Sequence, residues 1–324
     1  MKPIDLSKAD KGDNLLGYLF IKSQLVKTAA NGSRYFNMTL SDSYFNGMNA
    51  KMWDVKPVDE EEFTTGKLVK IKGKVQEFNG NLQMIVGRMR LCNEGDDVNP
   101  DDFVETAPIS VSSMMKDIFD TIDAFQNADL KAITRAVVEH HKEELTYFPA
   151  AKKMHHAVKG GLLYHTHSML MAGKALAELY PFLDKDLLFA GIILHDMGKT
   201  TEMLSDENGS VGDYSAEGKM LGHIITEVSE IDHFADELGT DPEIALMLKH
   251  MILAHHYEPE FGSPVRPMFP EAELLHHLDI IDARMNTMKR IEDGLRPGTF
   301  SEKIFGLDGI QIYRRKDPMA YPDK

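Results

Sequence analysis

Residues 187–200 read LLFAGIILHDMGKT. The apolar run 187–194 has the character of a buried helix, and it stops on His195-Asp196. Burying an unpaired carboxylate costs several kcal/mol, so something cationic must face Asp196. A metal ion is one answer and a lysine is another. Working outward, His165 lies in GGLLYHTHSM, His223 in YSAEGKMLGHI, His255-His256 close LKHMILAHH, and Asp279 lies in HHLDIIDARM. All fourteen histidines lie at residue 140 or later. Taken singly, each reads as a core or surface histidine. The ordered set His, His-Asp, His, His-His, Asp on apolar helices points to a metal site. Imidazoles and carboxylates suit Mn, Fe, Zn or Ni, and one carboxylate can bridge two ions. A bridged pair of ions activates water and clamps a phosphoryl group.

The rest of the chain divides in two. Residues 14–91 read as strands: LLGYLFIKSQLVKT and RYFNMTLSD about the turn AANGS, then two more about Asn79-Gly80, a hairpin signal. Four or five short strands suggest an all-β, OB-like barrel over residues 1–92. Residues 93–112 are acidic, carry two prolines and read as a linker. Residues 113–298 read as an all-α bundle, with helix starts at Asp241-Pro242-Glu243 and at Pro270. Residues 299–324 form a tail of mixed character. The expected fold class is thus multidomain, a barrel followed by a helical bundle.

Charge follows the same division. Residues 1–92 hold 14 Lys+Arg against 10 Asp+Glu, leaving 22 against 41 for the remainder of a chain with net charge −15. A basic barrel beside an acidic bundle suggests that nucleic acid meets the barrel. Tyr18, Phe20, Tyr35, Phe36, Trp53 and Phe78 are interleaved with lysines and arginines, the combination that holds single strands. Lys70, Lys72 and Lys74 alternate along one strand and so share a face, the leading candidate for backbone contact. No run of about 18–20 apolar residues is present, and the polar N-terminus has no signal-peptide core, so no membrane association is expected. The single Cys92 excludes an internal disulfide, fits a reducing, cytoplasmic setting, and reads as an ordinary strand-end residue.

The residues of the helical half resemble the HD-domain superfamily of metal-dependent phosphohydrolases. More closely, GGLLYHTHSM, LLFAGIILHDMGKT, YSAEGKMLGHI, HMILAHHYEPEFGSPVRP and EAELLHHLDIIDA, behind an OB-like module, resemble the YhaM-type 3′-5′ exoribonucleases. The resemblance covers nearly the whole chain, including FSEKIFGLDG. One departure is Tyr257-Glu258 after His-His, where the family commonly has glycine. The resemblance implies two divalent ions, Mn2+ first and Fe, Co, Ni or Zn as alternatives. His165, His195, Asp196 and Asp279 would surround one ion. Asp196, His223 and His255, His256 or both would surround the other, with Asp196 bridging.

Further residues follow from position. His276, Asp279 and Asp282 share one helical stripe, so His276 or Asp282 can orient a ligand. Small Gly198 permits a sharp helix exit, after which Lys199 can reach a phosphate oxygen. His155, His156 and His250 are candidates for proton transfer. The expected activity is metal-dependent hydrolysis of single-stranded RNA, with DNA as the other substrate, to nucleoside 5′-monophosphates, and its 3′-5′ polarity is what the resemblance implies. Its partners are then 3′ ends, and a homo-oligomer stays open. Two other readings remain: an HD phosphohydrolase of free nucleotides or cyclic dinucleotides, and a non-catalytic nucleic-acid-binding protein of the replication-enhancer type.

Overall fold

The computed structural model describes residues 4–29, 31–78, 80–152 and 156–316. It forms two compact units, Met1–Thr106 and Ala107–Lys324.

The first unit is a closed barrel of β1 (Asn14–Thr28), β2 (Arg34–Ser41), β3 (Gly47–Trp53), β4 (Leu68–Phe78) and β5 (Asn81–Leu91), in the order β1-β2-β3-β5-β4. β3 and β5 pair in parallel and the other pairs are antiparallel. A short helix, α1 (Pro57–Glu62), joins β3 to β4. This is the strand order and connection of an OB barrel. β1 closes it by pairing with β4 through Asn14–Phe20 and with β2 through Phe20–Thr28, with a register shift between Ile21 and Ser23 that bends the strand. Alternate residues point inward: Val69, Ile71 and Val75 join Leu19, Ile21, Phe36, Met38, Leu40 and Met84 in the core. The β4–β5 turn includes Gly80 at φ 78°; Asn79 of the hairpin signal lies outside the described residues.

Part of the stretch read as a linker is tied to the barrel. The buried Asp96 carboxylate accepts two hydrogen bonds from Arg90, each 2.7 Å, and one each from Tyr18 (3.1 Å), Lys70 (3.3 Å) and the Asn93 N–H (3.0 Å). Phe103 and Val104 bury against Phe20. The acidic segment is held because its charge meets barrel cations, which composition alone does not reveal.

The second unit contains α2 (Val111–Asp123), α3 (Ala128–His140), α4 (Gly161–Ala177), α5 (Lys185–Leu194), α6 (Lys199–Glu202), α7 (Ala216–Met220), α8 (Gly222–Leu238), α9 (Pro242–Ala254) and α10 (Pro270–Gly294). Ser110, Asn127, Asp184 and Asp241 cap four of these by accepting hydrogen bonds from first-turn N–H groups. α5 is buried nearly all round and packs against α3, α4, α9 and α10. Gly191 makes this possible, because a Cβ there would sit 2.2 Å from Met251 Cε. The unit is not wholly helical. β6 (Met203–Ser205) and β7 (Val211–Tyr214) form a hairpin between α6 and α7. Its signal was Asn208-Gly209, with Gly209 at φ 74°. The tail folds back through bridges Phe300–Tyr313 and Ile304–Ile310, and Arg284 of α10 pairs with Asp308 at 2.7 Å. Among the described residues no helix is long and apolar enough to cross a membrane.

Candidate metal centre

α5 and α9 each run into a histidine at the C-cap. His195 closes α5 and its Nδ1–H donates to the Ile192 carbonyl at 2.8 Å. His255 closes α9 in the same way, donating to Ile252 O at 2.7 Å. The next residue, His256, donates from Nδ1 to Phe261 O at 2.7 Å. A carbonyl only accepts, so Nδ1 carries the proton in each ring and Nε2 is left to bind. His223, at the start of α8, has Nδ1 3.3 Å from Glu202 Oε1, which leaves its Nε2 likewise.

These nitrogens converge on Asp196. Oδ1 of its carboxylate lies 3.5 Å from His223 Nε2 and 4.0 Å from His255 Nε2. All three atoms are buried without a hydrogen-bond partner. Leaving a buried polar atom unmatched costs about 1–3 kcal/mol each, and three lone pairs facing one another add repulsion. A cation among them removes both penalties. His256 completes this set, whose ligand atoms all lie within 4.8 Å of one another.

Oδ2 of the same carboxylate faces a second set. It lies 3.3 Å from His195 Nε2, 3.7 Å from His165 Nε2 and 2.6 Å from Lys199 Nζ. His165, on α4, is fully buried and its Nε2 is 3.3 Å from Asp279 Oδ1 of α10. His165, His195 and Asp279 again bring ligand atoms within 4.8 Å. Asp282, one turn along α10, takes His165 Nδ1 at 2.7 Å and His156 Nε2 at 2.6 Å.

Electrostatics match this geometry. Burial opposes charge on Asp196, yet Lys199 and His195 hold its carboxyl well below the ordinary range. Burial likewise opposes charge on Asp279, and His165 keeps it ionised. Asp282 is held at about 2 against its burial by His156 and His165. Burial works against a charged His165, but the Asp279 and Asp282 hydrogen bonds push it up to about 9. Burial, then the neighbouring His256, keeps His255 neutral; burial, then His223, does the same for His256. Lys199, though buried, is held protonated by Asp196. The site thus collects ionised carboxylates and imidazole nitrogens in a water-poor place, the donor set of a first-row divalent ion.

Lys199 points at Asp196, so the site holds a lysine as well as room for a metal. Gly198 takes ordinary helical angles rather than a special exit. Its small size is needed because a Cβ would lie 2.4 Å from His223 O. His276 donates from Nδ1 to the His255 carbonyl at 2.7 Å and so braces α9. His250 accepts the Met268 N–H at 3.1 Å, a structural contact. His156 holds Asp282, and His155 lies outside the described residues. Two residues escaped the sequence reading: Glu202, which orients His223, and the fully buried Glu227. Neither has a local signature, since each acts across elements.

A cleft of about 360 Å³ is lined by Lys199 and Glu202 together with Lys152, Met203 and Tyr214. On the barrel, the Lys51 ammonium lies 5.7 Å from the Tyr35 and Trp53 ring centres and 5.2 Å from that of Phe78. Trp53 and Phe78 are 42% and 54% exposed, so the group faces solvent. Lys72 and Lys74 are also exposed, whereas Lys70 is half-buried against Tyr18 and Asp96.

Residues 162–284 match the HD domain family, a span that holds every member of both sets. The 3′-5′ exoribonuclease YhaM of Bacillus subtilis (strain 168) is 42% identical over 303 residues, 94% of this chain and 95% of that one. The chain belongs to the YhaM 3′-5′ exoribonuclease family. The YhaM of Geobacillus sp. (strain WCH70) is 41% identical over the same share of this chain and 92% of its own. Among solved structures, priB from Ralstonia solanacearum is 11% identical and covers 26% of this chain and all of its own, at a TM-score of 0.21. Membership in the YhaM family brings the divalent-metal dependence of the HD domain. Tyr257, the residue after His255-His256, adopts φ 68°. That left-handed backbone costs a residue with a Cβ about 1 kcal/mol or more. Its ring packs on His276, with centroids 4.7 Å apart, and under the Arg266 guanidinium at 4.9 Å.

Proposed function

We propose that this chain hydrolyses single-stranded RNA from the 3′ end to nucleoside 5′-monophosphates, with two divalent ions, Mn2+ foremost, bridged by Asp196. Membership in the YhaM family supports the reaction. The single observation that carries the metal assignment is the convergence of Asp196 Oδ1, His223 Nε2 and His255 Nε2, buried and unmatched. His165, His195, Asp279 and Asp196 Oδ2 would hold one ion; His223, His255, His256 and Asp196 Oδ1 would hold the other. Bound ions supply an activated water and charge stabilisation for the phosphoryl oxygens. The protein's own groups do the rest. Asp282 and Glu202 fix the ring orientations of His165 and His223. Lys199, held protonated, adds positive charge at the edge of the cleft, where Lys152 and Tyr214 offer a phosphate contact and a stacking face to the terminal nucleotide. The barrel holds the strand on Lys51, Tyr35, Trp53 and Phe78, with Lys72 and Lys74 along the phosphates. The free Cys92 fits work in the cytoplasm.

The test is Asp196→Ala with 5′- and 3′-labelled RNA oligonucleotides in Mn2+. Removing the bridge forfeits several kcal/mol of charge stabilisation, so hydrolysis should fall roughly a thousandfold. RNA binding should persist. Wild-type protein should release 5′-monophosphates from the 3′-labelled strand and leave cyclic dinucleotides intact. Undiminished hydrolysis by the variant would refute the metal assignment.

A further inference from the structure

The last residue of α3 and the one after it are another histidine pair, His140-His141, and they reach the turn after Asp196 through Thr200. Thr200 has one hydroxyl proton. Its Oγ1 lies 2.9 Å from the Met197 carbonyl, which can only accept, so the proton goes there. The same oxygen lies 2.9 Å from His141 Nδ1, so that nitrogen is the donor between them. His141 Nε2 then faces Glu230 Oε2 of α8 at 2.8 Å. A lone pair and a carboxylate oxygen repel at that distance, so a second ring proton or a metal ion stands between them. The other Glu230 oxygen, Oε1, is buried with no hydrogen-bond partner and lies 3.7 Å from His140 Nε2. One ligand atom each from His140, His141 and Glu230 falls within 4.8 Å of the others.

A second carboxyl is buried beside this cluster. Glu227, one turn earlier on α8, is fully buried and neither of its oxygens meets a side-chain partner. Burial, then the nearby Glu230 charge, pushes its carboxyl well above the ordinary range. Two acidic groups therefore sit together behind the Asp196 turn, and among the described residues the ion-pair partners of Glu230 are His140 and His141 rather than a lysine or arginine.

We propose that His140, His141 and Glu230 form a separate divalent-ion site for Zn2+. Ligands about 2.0–2.1 Å from a tetrahedral zinc stand about 3.3 Å apart; His141 Nε2 at 2.8 Å from Oε2 and His140 Nε2 at 3.7 Å from Oε1 lie on either side of that value, one on each oxygen of the carboxylate. Two imidazoles and one carboxylate leave a fourth position for water, on the side of the exposed His140. Thr200 is the outer partner that fixes the His141 tautomer, the usual companion of a metal-bound imidazole. The ion would tie α3 and α8 to the turn that carries Asp196, so its work is to hold the catalytic helix end in place.

The experiment uses full-length protein stripped with a chelator and dialysed against micromolar Zn2+, with zinc counted by mass spectrometry. Wild type and Asp196→Ala are each compared with the same chain carrying His140→Ala or Glu230→Gln. Each substitution should remove one zinc equivalent from its parent, in the Asp196→Ala background as in wild type. Because His140 is exposed, His140→Ala keeps the fold, which the metal-free melting temperature checks. Thr200→Val should weaken this equivalent about 10–100-fold without abolishing it. Equal zinc in the parent and His140→Ala chains overturns the proposal, whatever becomes of Asp196.

Discussion

His165 provides the sharpest test of the metal centre. In the ion-free chain its imidazole is raised to about 9, because burial is outweighed by the hydrogen bonds it donates to Asp279 and Asp282. An ordinary imidazole near 6.5 has lost its proton by pH 8; His165 keeps about nine-tenths of its own. That proton must leave before Nε2 can bind an ion. Loading the protein at pH 8 should therefore release about one proton per chain from this residue, while the already neutral His255 and His256 release none. Apparent affinity at this site should rise about tenfold per pH unit, or about 1.4 kcal/mol, up to pH 9, and then level off. Ion-free stability runs the other way. A raised folded value favours the fold below about 6.5, and the contribution, about 3 kcal/mol, is lost as pH climbs through 9. Calorimetry of Mn2+ binding at pH 8 in two buffers of different ionisation enthalpy measures the proton count. Asp282→Asn should reduce it, since one of the two hydrogen bonds holding the proton is gone. Binding with no proton released at pH 8, and affinity flat from pH 7 to 9, would refute this account of the site.

Other outcomes follow from single contacts. Glu202→Gln loses the charged partner of His223 Nδ1, so metal affinity at the His223 set should fall about 10–100-fold in a calorimetric titration. Gly198→Ala forces a Cβ against the His223 carbonyl; the melting curve should show about 1–3 kcal/mol of lost stability, with activity lowered alongside. Trp53→Ala removes an exposed stacking ring from the barrel, and anisotropy with a labelled oligonucleotide should show binding weaker by about 1–3 kcal/mol. Unchanged affinity there would move the RNA contact to another face.

Much of the centre was readable before folding because its members are anomalies in their local setting. An apolar helix that ends on His195-Asp196 or His255-His256 asks for a partner at that point, and the local bonds to Ile192 and Ile252 already decide which ring nitrogen is presented. The barrel was readable by alternation along β4, where Lys70, Lys72 and Lys74 separate buried Val69, Ile71 and Val75. The hairpin at 203–214 was missed, although Asn208-Gly209 marked it, because its strands are only three and four residues long. Asp96 was missed as a barrel residue because its partners Arg90, Lys70 and Tyr18 come from β5, β4 and β1.

The sequence by itself determined the order of the chemistry: a basic strand-rich module, then histidines and aspartates at the ends and turns of buried helices. Composition, periodicity and the cost of burying charge are properties of short segments, so they survive without coordinates. Only the tertiary structure decided that Asp196 offers Oδ1 to one set of histidines and Oδ2 to another. Only there do Glu202, Asp282 and Thr200 meet His223, His165 and His141 across 21, 117 and 59 residues of chain. Those pairings are made by helix packing, in which a glycine such as Gly198 sets how near two backbones come, and no local pattern carries that distance.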